Sequence, residues 1–156
     1  MKRLFSLIII LSFSSCRYFN VSPVNGITTK NLSEKPLSKD IVGIWEVDKY
    51  SYELIQENGY EPKKVILKIK SDGNFEAINF PDFMDVFSGK ISKKYINVKG
   101  KWSLTKDFEE EKWVLLMDFE NNQVTDFDLF LEENKLIIWT FIGDPDSGNK
   151  FLFRKK

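Results

Sequence analysis

Three groups of side chains in this 156-residue chain have types and spacing that could do chemistry. Asp144-Pro145-Asp146-Ser147-Gly148 sets two carboxylates two residues apart, a spacing that can offer oxygen ligands to calcium from a loop. A calcium loop needs further oxygen donors at alternate positions and a distal Glu, where this chain has Gly148 and Lys150. A turn begun by proline and closed by glycine accounts for every residue of the segment without a metal. Asp118, Asp126 and Asp128 come close together once their segments are laid side by side as strands, and paired carboxylates are what glycosidic acid–base chemistry uses. Alternation puts Asp126 and Asp128 on the wet face, where nothing raises a carboxyl toward a catalytic pKa. Glu109-Glu110-Glu111 reads as a charged hairpin tip that keeps a sheet edge soluble.

The usual catalytic sets cannot be assembled from what remains. The chain has no histidine and a single cysteine, Cys16, which rules out Ser-His-Asp and Cys-His nucleophiles and zinc or haem sites of the common ligand types. It holds no glycine-rich phosphate loop. Two of its 23 basic residues, Lys2 and Arg3, fall in a leader without acidic residues, so the remainder carries 21 basic against 23 acidic residues and no electrostatic footprint for nucleic acid. The reading is a protein that is not an enzyme and needs no cofactor or metal.

The leader is itself informative. Lys2 and Arg3 precede an apolar run, Leu4 to Leu11, and then Ser12-Phe13-Ser14-Ser15 ends on Cys16. A transmembrane helix needs about 20 apolar residues, so this run is a signal peptide. It resembles the bacterial lipoprotein signal, in which small residues precede an obligatory cysteine that is acylated and becomes the mature N-terminus. That resemblance implies cleavage after residue 15, a lipid anchor on Cys16 and residence in the bacterial cell envelope; several acyl chains hold a protein firmly where one would not. Arg17 stands where some bacteria place the Asp that retains lipoproteins at the inner membrane, which points to the outer membrane.

Residues 17–37 are polar, contain two prolines and show no periodicity, so 16–37 reads as a flexible tether. From Ser38 onward short alternating segments are separated by Gly, Asn, Asp and Pro clusters, the pattern of an all-β barrel or sandwich in one domain, 38–156. Strands are expected at 43–50, 63–71, 74–80, 94–104, 111–119, 124–132, 135–142 and 149–155, joined in up-and-down antiparallel order. Ser38-Lys39-Asp40 is expected to cap one helical turn before the first strand, and 81–87 to form another. Ser71-Asp72-Gly73-Asn74 marks a tight hairpin, Glu132-Glu133-Asn134 a short polar connection, and 143–148 a longer tip.

Parity assigns the faces. Val65, Leu67 and Ile69 point inward while Lys64, Lys68 and Lys70 point to water; Trp113, Leu115, Met117 and Phe119 line up inside, as do Phe127, Leu129 and Leu131. Fourteen Phe, five Tyr and four Trp give the interior a large aromatic load. The segment 136–142 is apolar on both faces, so its outer side needs a cover: the tether, a terminal segment or a partner.

Gly43-Ile44-Trp45 after a short turn, opening about eight hairpin-linked strands, resembles the Gly-x-Trp start of the lipocalin superfamily. The chain is similar to small bacterial lipoproteins with a lipocalin-like domain. The resemblance implies an eight-stranded barrel whose closed end is plugged by Trp45, with Arg154 stacked on it, although inward Phe151 and Phe153 place Arg154 outside unless a bulge or the rim intervenes. Such a barrel either encloses a small ligand or fills with side chains. The leading expectation is an anchored binding protein for a small apolar molecule, with Phe80, Phe83, Met84 and Phe87 near the mouth and Trp113 and Met117 in the wall. The alternative is a filled barrel that binds an envelope protein as an inhibitor, immunity-type or assembly accessory lipoprotein. The apolar segment 80–87 serves either as a lid or as a surface for a partner.

Overall fold

The structure is a computed structural model that describes residues 30–32, 34–82, 93–108, 111–120, 123–141 and 150–156. The expectations at Cys16 and the rest of the leader, at Phe83, Met84 and Phe87, and at the 143–148 tip lie outside the described residues.

Alternating segments with β-branched and aromatic residues on one parity become eight barrel strands: β2 (Gly43–Val47), β3 (Ile66–Ile69), β4 (Asn74–Pro81), β5 (Tyr95–Asp107), β6 (Lys112–Phe119), β7 (Val124–Glu132), β8 (Lys135–Phe141) and β9 (Lys150–Lys155). Each pairs antiparallel with its neighbour in sequence, and β2 with β9 closes the ring through Trp45↔Lys155 and Val47↔Phe153. The result is a closed, up-and-down, eight-stranded antiparallel β-barrel. Closure removes the free edges that would otherwise invite pairing with other chains.

A short strand not expected from the sequence, β1 (Lys30–Asn31), pairs with β7 at Leu131 and Phe130. The β6–β7 ladder stops at Val114↔Asp128, so the two strands splay, and β1 fills the gap; Trp113 N–H then donates to the Leu32 carbonyl at 3.1 Å. The end of the stretch assigned to the tether is thus part of the wall. Composition could not reveal this, because two residues satisfying a local gap leave no periodicity.

The turn of helix α1 (Ser38–Ile41) forms where expected, although its N-cap is Leu37 and no side chain caps it. A second helix, α2 (Lys49–Glu57), occupies a stretch in which no helix was expected. Its signal was present: Asp48 caps it by accepting from Ser51 N–H at 2.9 Å, and Ser51, Leu54 and Ile55 fall on one helical face. Strand β2 consequently ends at Val47, three residues short of expectation. Helices α1 and α2 sit at opposite ends of the barrel, and Leu54, Ile55 and Tyr60 join the same core as the strand side chains.

Where β2 ends, α2 replaces it beside β9. Asp48 N–H donates to the Leu152 carbonyl at 3.1 Å, and Leu152 N–H donates to the fully buried Ser51 hydroxyl at 2.8 Å. Replacing Ser51 with alanine leaves that N–H buried without an acceptor, a loss of about 1–3 kcal/mol. Chemical denaturation of Ser51→Ala should show it, and Ser51→Thr, which keeps the hydroxyl, should lose less.

Candidate functional site

The α1 end is closed by hydrogen bonds that satisfy every carbonyl of the short helix. Val42 N–H donates to Ser38, Lys155 Nζ donates to Lys39 and Asp40 at 3.1 and 2.9 Å, and Trp45 Nε1 donates to Ile41 at 2.8 Å. Trp45 is fully buried, as a plug requires. The cation over its ring is Lys155, with Nζ 5.7 Å from the centroid; Arg154, expected there, points outward as parity demands. Gly43 has a reason of its own: at φ +148° a β-carbon would lie 2.8 Å from Lys155 Cε, in the path the lysine takes to α1.

The interior is occupied by rings. Phe80 packs against Phe119, Phe127, Phe151 and Phe153 with centroids 5.9–6.5 Å apart, and Phe151 meets Phe153 edge to face at 4.9 Å. Phe80 reaches this position through a bulge. Continued alternation from Phe75 and Ala77 would send Asn79 inward and Phe80 outward; the register shift between Ala77 and Phe80 reverses that. Asn79 absorbs the irregularity at φ +51°, its N–H donating to Asn97 Oδ1 and its Nδ2 to the Lys64 carbonyl. Thus Phe80, expected near the mouth, is a core residue. Met117 is buried in the wall, whereas Trp113 lies toward the α1 end beneath the Lys35 ammonium, 5.2 Å from its ring.

The outer side of β8 has its cover, in a form not anticipated. Ile137, Trp139 and Leu152 are buried on the barrel's exterior with Phe130 and Phe141 against them. Long charged side chains lie over this ledge. Lys150 Nζ stands 4.0 Å from the Trp139 centroid, and burial holds its pKa below the ordinary lysine value against the pull of Asp128. Arg154 reaches across β8 to Glu132 and also approaches Asp48 at 3.5 Å; the Glu132 hydrogen bond raises its pKa further. Lys112 pairs with Asp128 at 2.8 Å. Glu132 is therefore buried and Asp128 largely so, where parity alone had set both in water; Asp126 is exposed.

The opposite half of the exterior differs. Across β2, β3, β4 and β5 the register runs Ile44–Lys68–Glu76–Lys99 in one outward row and Glu46–Ile66–Ile78 in the next. Glu46 accepts from Lys64 at 2.9 Å with Lys156 at 3.4 Å, and Glu76 from Lys70 at 2.9 Å with Lys99 at 3.9 Å. The lysine hydrogen bond lowers each carboxyl's pKa. A depressed carboxylate stabilises the fold above its unfolded value, near 4.5, and loses that contribution as pH falls through the lower folded value. Acid titration of stability should therefore be shallower in Glu46→Gln than in the native chain as pH falls from about 4.5 to that lower value.

Two clefts open at the surface. One of about 950 Å³ lies at the α1 end between residues 32–37 and the β7–β8 hairpin, and one of about 700 Å³ lies beside the β4–β5 bulge, bounded by Glu76, Ile78, Asn97, Lys99 and Glu120. No group of three or more potential metal ligands, and no helix long and apolar enough to cross a membrane, occurs among the described residues. No family model, curated protein or solved structure matches the chain.

Proposed function

We propose that this chain is a lipid-anchored, non-catalytic binding protein of the bacterial envelope that engages another protein through the outside of a filled barrel. The observation that carries the reading is Phe80 surrounded by four phenylalanines at the place where a carrier would hold its ligand. A ligand pocket of the ordinary kind spans several hundred cubic ångströms of enclosed apolar space. In this chain the apolar side chains of the wall meet one another there instead. The lipoprotein-like leader supplies the anchor through Cys16, and β1 ties the chain to the α1 end, so the barrel's exterior is what a neighbouring protein would meet.

Native mass spectrometry of protein purified from the envelope, together with titration by an apolar fluorescent probe, tests the binding mode. No co-purified lipid and no probe enhancement are expected; a stoichiometric apolar ligand would return the chain to the carrier class. Cys16→Ser should release the protein from the membrane fraction, and unchanged retention would remove the anchor from the reading.

A further inference from the structure

The barrel's exterior is divided by charge in a way the net balance of the chain conceals. On the half formed by β2–β5, the described outward positions and their immediate flanks bring together Lys64, Lys68, Lys70, Lys99, Lys101 and Lys156 against Glu46 and Glu76. Each glutamate is held between two lysines. Acidic residues return at its margin: Asp118, across from Lys101, Glu120, Asp72 in the β3–β4 turn, and Glu61, whose carbonyl accepts from the Tyr95 hydroxyl. Apolar side chains sit within the basic field: Ile44 is 44% exposed, and Ile66 and Ile78 are half-buried beside it. Lys99 and Lys156 remain about two-thirds exposed.

We infer that this β2–β5 face is the docking surface, and that its occupant is an acidic polypeptide segment presenting alternate carboxylates and apolar side chains. Charge selects the sign of the partner, because the excess lysines attract carboxylates and repel a basic surface. The apolar rows select its pattern. Ile44 and Glu46 share the outer face of β2, and Ile66 and Lys68 that of β3, so an extended segment seats both kinds of side chain here when its apolar and acidic residues stand two apart with a polar residue between them. Shape favours a polypeptide over an anionic membrane: the cleft of about 700 Å³ at the edge of this face is concave, and its wall includes Glu76 and Glu120, carboxylates that accept from the backbone N–H groups a polypeptide offers and a lipid phosphate lacks.

The inference rests on the binding-protein reading and adds the partner's chemistry. Its test is titration of the full mature chain in neutral detergent with a synthetic peptide that repeats Leu-Ser-Glu-Ser, which when extended sets Leu and Glu on one side. Binding is expected, with affinity falling steeply as salt is raised. The Lys68→Glu/Lys99→Glu variant should bind at least about tenfold more weakly at low salt. Lys135→Glu, on an exposed position of β8, should bind as the native chain does. If the double reversal fails to fold, Lys68→Gln/Lys99→Gln should show a smaller loss in the same direction. Absent binding, binding insensitive to salt, or an equal loss in Lys135→Glu would overturn the assignment. So would Cys16→Ser protein that ignores the peptide but sediments with phosphatidylglycerol vesicles through Lys68 and Lys99, since the face would then read lipid. Discovery of an enclosed apolar ligand would defeat the binding-protein reading and leave the peptide result standing on its own.

Discussion

Phe80→Ala should cost about 3–5 kcal/mol, a large share of the 5–15 kcal/mol that holds a domain of this size together. The ring is about 3% exposed and touches four others, so its loss removes both its transfer free energy and the dispersion contacts of its neighbours. The surrounding strands belong to a closed ring and cannot collapse far into the space. The variant should therefore keep an apolar cavity, dry and lined by phenylalanine, of the kind that accepts benzene-sized molecules. Denaturant midpoints with and without such a molecule measure both effects: the variant should gain stability on adding it and the native chain should not. A loss below about 1 kcal/mol would mean that Phe80 is not the centre of the core.

Gly100→Ala should be comparably damaging for the opposite reason. A β-carbon there would lie 2.0 Å from the Asp118 carbonyl oxygen and 2.7 Å from Phe75 Cε1. Neither neighbour is a flexible side-chain end: one is the backbone of β6, the other a buried ring. Overpacking of this sort costs about 3 kcal/mol or more, because a strand must move. The comparison that isolates the mechanism is Gly73→Ala in the β3–β4 turn. Gly73 has φ +83° and nothing within 4 Å of its missing β-carbon, so alanine there bears only the left-handed backbone, about 1–2 kcal/mol. Equal losses at the two positions would show that crowding at Gly100 is relieved more cheaply than its contacts indicate. Thermal or denaturant unfolding of the pair decides the matter.

Much of the barrel was legible because strand parity is a local property. Val65, Leu67 and Ile69 lie inside with Lys64 and Lys70 exposed, and Leu115, Met117, Phe119, Phe127 and Leu129 are buried as alternation requires. The hairpins at Asp72-Gly73 and Glu133-Asn134 form where turn residues mark them; Asn74 N–H donates to Asp72 Oδ1, and Glu133 and Asn134 both take the positive φ of a two-residue turn. Helix α2 was legible in principle through Asp48 and the spacing of Ser51, Leu54 and Ile55, but nine residues give a weak periodic signal beside strong strands. Phe80 was read with the apolar segment 80–87 that follows it; the bulge that turns it into the core changes parity without changing composition. Arg154 was misassigned because a family pattern was followed against parity, and the adjacent Lys155 stands over Trp45.

The sequence by itself determined the order of the eight barrel strands, the inward and outward faces along unbulged stretches, and the absence of the residues that common catalytic sets require. Each of these follows from residue type and period-two spacing along a single stretch. Only the tertiary structure decided which rings meet inside the barrel, what covers the outside of β8, and which lysines share a surface. Those depend on register between strands and on the reach of side chains across them, which bring Phe80 to Phe153, Arg154 to Glu132 and Lys70 to Glu76. Parity says which way a side chain leaves its strand; only the closed ring determines what it meets.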